Sequence, residues 1–245
     1  MKNLFIIGSL LCNLFLIAAL IYVCCYKTDL SRRLKAKITG EFYMANRADD
    51  NCVTSWNTCV TQLDYKADIV FFGNSLTEGG EWQKQFPDVK IVNSGYIGDD
   101  LKGMMRRVCQ IKHLQPKKIF IMAGINGLKN RTSAEFENQY SMLVDSIRAV
   151  SPQTQVYLES LLPVGRTSGF CPSDKIIKAN EIIKKYADNH KLVYIDLYHL
   201  YAEDDYMPDQ YTYEGVHLKP EAYSFWYDAV KPFVNFSDNI YYDKQ

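Results

Sequence analysis

The sequence predicts an α/β fold, a three-layer α/β/α sandwich with a mainly parallel sheet of about five strands, preceded by an N-terminal transmembrane helix. Two observations predict the sheet. Short apolar runs rich in β-branched and aromatic residues recur without polar alternation, which is typical of strands covered on both faces. Longer helix-like stretches separate most of these runs, an order typical of parallel strands joined by right-handed crossovers.

The predicted elements define one main domain over residues 65–236. Its strands are predicted at 67–74, 89–95, 118–124, 155–163 and 192–198. Its helices are predicted at about 99–113, 132–150, 173–190 and 219–234. Residues 27–64 are polar and are interpreted as a helical lead-in, and residues 237–245 as a C-terminal tail.

The third observation concerns the N-terminus, where the chain from Leu4 to Cys25 is uncharged and almost wholly apolar. A run of about 20 such residues is long enough for a helix to cross a bilayer. The run is longer than a signal-peptide core, and no Ala-x-Ala site follows it. We therefore interpret residues 1–26 as an uncleaved membrane anchor, with a cleaved signal segment as the alternative.

The flanking charges give two indications of orientation. Only Lys2 precedes the run, whereas five basic residues follow it: Lys27, Arg32, Arg33, Lys35 and Lys37. The positive-inside rule would then keep the domain in the cytoplasm. The short N-terminus headed by Lys2 and a possible Cys52–Cys59 disulfide instead favour export. The expectation is a membrane-anchored protein whose catalytic domain is exported, in the periplasm or outside the cell.

Charge and cysteine spacing exclude two classes of function. Lys plus Arg and Asp plus Glu both total 28, so the formal net charge of zero gives no electrostatic reason to expect nucleic acid as a partner. The seven cysteines match no zinc-binding spacing, and no metal site is predicted.

Candidate site residues follow three of the predicted strands. Ser75 follows the first strand, Gly95 closes the second and Asn126 follows the third. Reactive groups gather at the carboxyl ends of parallel strands, so these residues are expected at one edge of the sheet. Taken alone, a serine at this position is more often a helix cap, and a glycine a tight turn.

A histidine near the C-terminus supplies the base that a serine nucleophile needs. His217 comes three residues after Glu214, just before the last predicted helix. A turn of this length allows the carboxylate to fold back onto the imidazole, which fixes its tautomer and stabilises the imidazolium form.

In their order along the chain, Ser75, Gly95, Asn126 and His217 resemble the SGNH hydrolases, also called the GDSL esterase/lipase family. The resemblance extends over about residues 66–234. It is nearest to the platelet-activating-factor acetylhydrolase-like branch, because the second block has that branch's Gly-x-x-Gly-Asp pattern. It implies a flavodoxin-like SGNH fold and a serine ester hydrolase that needs no metal or organic cofactor.

The resemblance also implies a role for each residue. Ser75 would be the nucleophile, His217 the general base and Glu214 the acid that orients it. The backbone amides of Ser75 and Gly95 and the side-chain amide of Asn126 would form the oxyanion hole.

Three positions depart from the family pattern. Asn74 replaces the Asp of the family's name, and Gly127 replaces an Asp that often follows the third-block Asn. Glu214 replaces the usual Asp of the triad. Because Glu is one methylene longer, either the turn before His217 adjusts or another acid, such as Asp209, serves.

Three alternatives to an ester hydrolase remain open at this point. A degenerate hydrolase fold would bind carbohydrate or lipid without catalysis, and an acyltransferase would use the same residues to pass the acyl group to a sugar. A cysteine nucleophile would pair Cys109 with His113, one helical turn away, although packing within a crossover helix accounts better for both.

The expected partner is a small ester that carries a short acyl group, such as acetate on a carbohydrate, because no long apolar lid follows the anchor. Tyr96, Trp82 and Trp226 are interpreted either as aromatic residues that stack on sugar rings or as packing residues. The membrane is the second expected partner, through the N-terminal segment, and the sequence does not determine the oligomeric state.

Overall fold

The structure, a computed structural model, describes residues 66–235 of the chain. The predicted anchor at 1–26, the lead-in at 27–64, the Cys52–Cys59 pair and the tail at 237–245 lie outside the described residues. Within residues 66–235, no helix is long and apolar enough to cross a membrane.

A five-stranded sheet forms the centre of the domain, and all neighbouring strands in it are parallel. The strands are β1 (Ile69–Gly73), β2 (Ile91–Gly95), β3 (Lys118–Met122), β4 (Gln155–Glu159) and β5 (Val193–Ile195). Their order is β2-β1-β3-β4-β5, so the chain reverses its direction of winding between β1 and β3. The predicted parallel α/β sheet is confirmed. In sheets of this order, ligands bind beyond the carboxyl ends of the strands next to the switch point.

Eight α-helices are assigned within the described residues. They are α1 (Ser75–Glu78), α2 (Trp82–Gln85), α3 (Leu101–Arg106), α4 (Val108–Leu114), α5 (Ser133–Val150), α6 (Ser173–His190), α7 (Tyr198–Tyr201) and α8 (Tyr223–Val234). The helix predicted over 99–113 is divided into α3 and α4, since Arg107 leaves helical geometry with φ −101° and ψ 4°.

Adjacent residues of β1 identify the two faces of the sheet. The ring of Phe71 stacks on Trp82 of α2 at 3.9 Å, and Trp82 meets the edge of Trp226 of α8 at 5.2 Å. Phe72 points to the opposite face, where the guanidinium of Arg107 lies 4.8 Å from its ring centre. Trp82 and Trp226 are only 1% and 0% exposed, so the hypothesis that they stack on sugar rings is wrong. Both belong to the core on one face of the sheet.

A buried carboxyl group lies at the end of β4, outside the predicted site. Glu159 is fully buried, and its Oε1 accepts a hydrogen bond from Trp226 Nε1 at 2.7 Å. Its Oε2 has no hydrogen-bond partner among residues 66–235. Burial disfavours the carboxylate and raises the pKa of Glu159 to about 8.

This shifted pKa predicts a pH dependence of the free energy of unfolding. Between the ordinary Glu pKa of 4.5 and about 8, the folded chain keeps a proton on Glu159 that the unfolded chain has lost, so stability falls as pH rises through this window. Glu159→Gln keeps the acceptor for Trp226 and removes the titration. The free energy of unfolding of the variant minus that of wild type, measured with urea, is expected to rise by on the order of 3 kcal/mol from pH 5 to pH 8.

The exposed Glu137→Gln variant serves as the control and should follow the wild-type curve. If the free energies of unfolding of wild type and Glu159→Gln differ by the same amount at every pH from 5 to 8, the assigned protonation of Glu159 is contradicted.

Candidate active site

Ser75 is the first residue of helix α1, directly beyond the end of β1. The residue before it, Asn74, caps this helix, because its Oδ1 accepts a hydrogen bond from the Leu76 amide at 2.9 Å. Asn74 therefore fills the capping role that the serine alone could have had. An Asp at position 74 would offer the same acceptor, which explains why this departure from the family motif keeps the turn.

The side chain of His217 connects Ser75 to a carboxylate. Its Nε2 lies 3.0 Å from Ser75 Oγ, although 142 residues separate the two in the chain. Its Nδ1 hydrogen-bonds to Glu214 Oε1, and the same oxygen accepts the backbone N–H of His217 at 3.0 Å. A carboxylate on Nδ1 holds the proton there, so Nε2 is the nitrogen that can accept the Ser75 hydroxyl proton.

The turn between Glu214 and His217 brings the glutamate carboxylate to the imidazole. Gly215 has φ +86°, and a Cβ there would come within 2.7 Å of Ser168 Cβ, so this position requires glycine. Its amide donates to Thr212 Oγ1 at 3.0 Å, which fixes the start of the turn. Of the two acids proposed from the sequence, it is Glu214 that contacts the imidazole.

The loop after β2 holds Gly95 differently from its predicted role. The Gly95 amide donates to Asn93 Oδ1 at 3.0 Å, and a Cβ on Gly95 would lie 2.1 Å from the Glu78 amide nitrogen. Glycine is therefore needed here because α1 packs against the end of β2. The role of Gly95 in an oxyanion hole stays a prediction. Gly98, at φ +76° in the same loop, has a backbone amide that makes no hydrogen bond within the described part of the chain.

Asn126 follows β3 at the same edge of the sheet. Its side chain is largely buried, and Nδ2 donates to the backbone carbonyl of Asp99 at 2.8 Å. This bond uses one of the two amide hydrogens and leaves the other for a ligand. The structure thus brings the predicted residues of β1, β2, β3 and the C-terminal turn to one edge of the sheet.

A buried arginine that the sequence interpretation missed holds two of the strand ends together. Arg107 forms an ion pair with Asp99 at 2.6 Å, and both side chains are fully buried. Its Nη2 also donates to Gly73 O at 3.2 Å, and its Nη1 to Ser94 O at 3.2 Å. The sequence does indicate that Arg107 is buried, because it lies one helical turn after Met104 and so on the apolar face of the predicted helix.

Residues of helices α8 and α2 hold the turn that contains Ser75. Tyr223 Oη donates to Leu76 O at 2.8 Å, and Trp82 Nε1 donates to Thr77 O at 2.8 Å. Burial raises the pKa of Tyr223, which keeps its hydroxyl a donor. These bonds satisfy carbonyl groups of the short α1 helix, which has few internal bonds of its own.

The residues of the alternative cysteine site lie elsewhere. Cys109 and His113 belong to α4, in the crossover between β2 and β3, and not to a strand end. The exposed thiol of Cys109 lies 3.9 Å from the Arg106 carbonyl oxygen. The hydrogen-bonded series of serine, histidine and carboxylate at the strand ends is that of Ser75, His217 and Glu214.

A family model described as the GDSL-like lipase/acylhydrolase family matches residues 71–225, a segment that runs from β1 into α8. The chain belongs to this family. Membership indicates an acylhydrolase, an enzyme that hydrolyses esters, and the family resemblance drawn from the sequence motifs is confirmed. No curated protein matches the chain.

Solved structures share the fold of this family member. A structure from Streptococcus pneumonia described as a platelet activating factor has 21% sequence identity and a TM-score of 0.70, and the match covers 77% of this chain and 94% of that one. A GDSL-like lipase from Bacteroides thetaiotaomicron has 22% identity and a TM-score of 0.62, with 74% and 96% covered. An acylhydrolase from Bacteroides fragilis has 22% identity and a TM-score of 0.62, with 75% and 96% covered. At these identities the likeness concerns the fold.

Proposed function

We propose that this GDSL-family acylhydrolase is a serine esterase in which Ser75 is the nucleophile, His217 the general base and Glu214 its orienting acid. One observation carries the proposal. A hydrogen-bonded series joins Ser75 Oγ, both ring nitrogens of His217 and Glu214 Oε1 beyond the end of β1. Nucleophile, base and orienting acid in this order are the arrangement by which a serine hydroxyl is activated.

The reaction begins when Ser75 Oγ attacks the ester carbonyl carbon while His217 Nε2 takes the hydroxyl proton. The Glu214 carboxylate stabilises the imidazolium that results. His217 then gives the proton to the departing alcohol oxygen, and the acyl group remains on Ser75. His217 then takes a proton from water, which attacks the acyl carbon. The bond from that carbon to Ser75 Oγ breaks, His217 returns the proton to Oγ, and the acid leaves.

The oxyanion of each tetrahedral intermediate needs donors on the side of Ser75 away from His217. The Ser75 amide lies in the first turn of α1, where helix geometry supplies no internal partner. The second hydrogen of Asn126 Nδ2 supplies another donor. The Gly95 amide joins them only if Asn93 Oδ1 releases it, and the Gly98 amide is the other candidate from this loop. Each donor is worth on the order of 3 kcal/mol in the transition state.

We propose a short acyl group, acetyl in particular, on a carbohydrate alcohol as the substrate. Tyr213 precedes Glu214 directly and is 70% exposed, so its ring is available to stack on a sugar beside the catalytic turn. This residue takes the role that the buried Trp82 and Trp226 cannot have. Among large apolar side chains, Tyr213 is one of four that the described domain leaves exposed.

A screen of acyl length tests this substrate proposal. Full-length protein in detergent would be assayed with acetylated sugars and with p-nitrophenyl esters of two to sixteen carbons, with and without an added sugar acceptor. We expect acetyl esters to give the highest kcat/KM, with free acetate as the product. A preference for long acyl chains would contradict the acetyl assignment, and acyl transfer to the acceptor would indicate a transferase.

Exchanging the two candidate acids for amides separates their roles. Glu214→Gln is expected to lower kcat roughly 100-fold, because a Gln side chain no longer stabilises the imidazolium of His217. Asp209→Asn is the matched control and should keep wild-type kcat, since Asp209 accepts a hydrogen bond from Lys219 Nζ through its backbone carbonyl at 2.8 Å, a bond that the substitution leaves in place. Rates would be measured with p-nitrophenyl acetate. The reverse pattern would make Asp209 the acid.

We also propose that residues 1–26 anchor the domain at a membrane and that the domain is exported. The uncharged run from Leu4 to Cys25 supports the anchor. The short N-terminus headed by Lys2 and the Cys52–Cys59 pair support export, against the five basic residues that follow the run. Protease added to cells that have an intact inner membrane, and whose outer membrane has been opened where there is one, should remove a C-terminal tag from an exported domain. Protection of the tag until the cells are lysed would contradict export.

A further inference from the structure

The side-chain amide of Asn126 has to be held still if it is to stabilise an oxyanion. Its Nδ2 is fixed by the Asp99 carbonyl at 2.8 Å, a bond between the loop after β3 and the loop after β2. The residue that follows is Gly127, where the family often has an Asp that supports this Asn. The chain therefore needs another group to fix the loop at Asn126.

A guanidinium occupies the space that a side chain at position 127 would fill. Gly127 has φ +77°, and a Cβ built on it would lie 2.6 Å from Arg131 Nη1. The same Nη1 donates to the backbone carbonyl of Asn126 at 2.7 Å. In this position the guanidinium lies where a Cβ on residue 127 would lie, so the glycine leaves room for the bond.

The other end of the guanidinium reaches the second loop of the site. Arg131 Nη2 forms an ion pair with Asp100 Oδ2 at 2.5 Å, and Asp100 Oδ1 caps helix α3 through the Gly103 amide at 2.9 Å. The Arg131 side chain is 12% exposed and that of Asp100 33%, so water reaches this charge-assisted pair mainly from the Asp100 side. Lys175 Nζ in turn donates to the Arg131 carbonyl at 3.0 Å and fixes the backbone of the arginine.

We propose that Arg131 is a positioning residue for the oxyanion hole. It holds the Asn126 loop to Asp100 and so takes the place of the acid that the family often has at position 127. The inference rests on the proposed function, because it assigns a purpose to the placement of Asn126. It deepens that function by adding a residue that touches neither substrate nor nucleophile. The arrangement joins the loops after β2 and β3, which hold the candidate donors beyond Ser75.

A double-mutant cycle with Asn126→Ala tests whether Arg131 acts through Asn126. In the wild-type background, Arg131→Met is expected to lower kcat for p-nitrophenyl acetate roughly 10- to 100-fold, which is less than the loss expected when an oxyanion donor is removed outright. KM should change less than about threefold. In the Asn126→Ala background the same substitution should lower kcat less than about threefold, because the donor that it positions is already gone. Arg148→Met, an arginine at the far end of α5, is the control and should keep wild-type kcat.

The outcomes separate this inference from the proposed function. If the full-length wild-type chain does not hydrolyse the ester, the proposed function fails first. If it does, an unchanged kcat in Arg131→Met, or an equal loss in both backgrounds, overturns the positioning role alone. Should Arg131→Met fail to fold, Asp100→Asn replaces it, because Asn keeps the cap on Gly103 while it weakens the ion pair. The same non-additivity with Asn126→Ala is then expected, with a smaller loss of kcat.

Discussion

Replacing Ser75 with alanine is expected to reduce turnover of an acetyl ester to about 10⁻⁴ of the wild-type rate or below. The substitution removes Ser75 Oγ, which lies 3.0 Å from His217 Nε2. Without it no acyl-enzyme forms, and what remains is attack by water on an ester held in the oxyanion hole. KM should change little, since Oγ contributes little to binding of the ground state.

The fold should tolerate this change, because Asn74 and not Ser75 caps helix α1. Circular dichroism and the thermal midpoint of Ser75→Ala are expected to match wild type. Ser224→Ala, an exposed serine in α8, is the matched control and should retain full turnover. Activity in Ser75→Ala within tenfold of wild type would remove Ser75 from the mechanism.

The second large effect concerns the buried arginine below the site. Arg107→Met is expected to lower the free energy of unfolding by about 3–5 kcal/mol. Met has a similar volume, but it leaves the carboxylate of Asp99 buried without its cation and removes donors from the carbonyl groups of Gly73 and Ser94. A buried charge without a partner costs more than the ion pair itself contributes.

Urea unfolding at pH 7 measures this loss, and the exposed neighbour Arg106→Met is the control, expected within about 0.5 kcal/mol of wild type. Esterase activity of folded Arg107→Met should also fall, because Gly73 and Ser94 precede the turns that hold Ser75 and Gly95. A loss of stability below about 1 kcal/mol would show that Arg107 does not stabilise the ends of β1 and β2.

The fold was predictable because its signals are local and repeat along the chain. The apolar runs at β1 and β3 are buried at every residue, so no polar alternation interrupts them. Helices α5 and α6 have clear ends in the sequence, and Thr132 with Glu135 forms a capping box at the first of them. The division at Arg107 of the helix in the crossover between β2 and β3 was not predictable, since the apolar spacing continues through it.

The candidate site was predictable to the extent that strand ends determine it. Ser75 and Asn126 follow neighbouring strands at the switch point, and the turn from Glu214 to His217 is set by three residues of sequence. The contact between Ser75 and His217 spans 142 residues, so no local pattern contains it. That pairing came from the order of the family motifs.

The supporting residues were not predictable, because their roles depend on which groups lie across from them. Arg107 and Arg131 occur in helical and loop stretches where a charged residue is normally solvated. Only the folded chain brings them to Asp99 and Asp100. The two tryptophans were ambiguous for the same reason, since an aromatic residue in sequence carries no indication of the face that it packs against.

Covalent labelling tests the central claim most directly, since a fluorophosphonate reacts only with a serine whose hydroxyl is activated. The full-length wild-type protein would be treated with the probe, digested and mapped by mass spectrometry beside the Ser75→Ala and His217→Ala variants. We predict one adduct, on the peptide that contains Ser75, with none in Ser75→Ala and labelling slowed at least about 100-fold in His217→Ala. An unlabelled wild-type protein, or an adduct at any other residue, would contradict the assignment of Ser75 as the nucleophile.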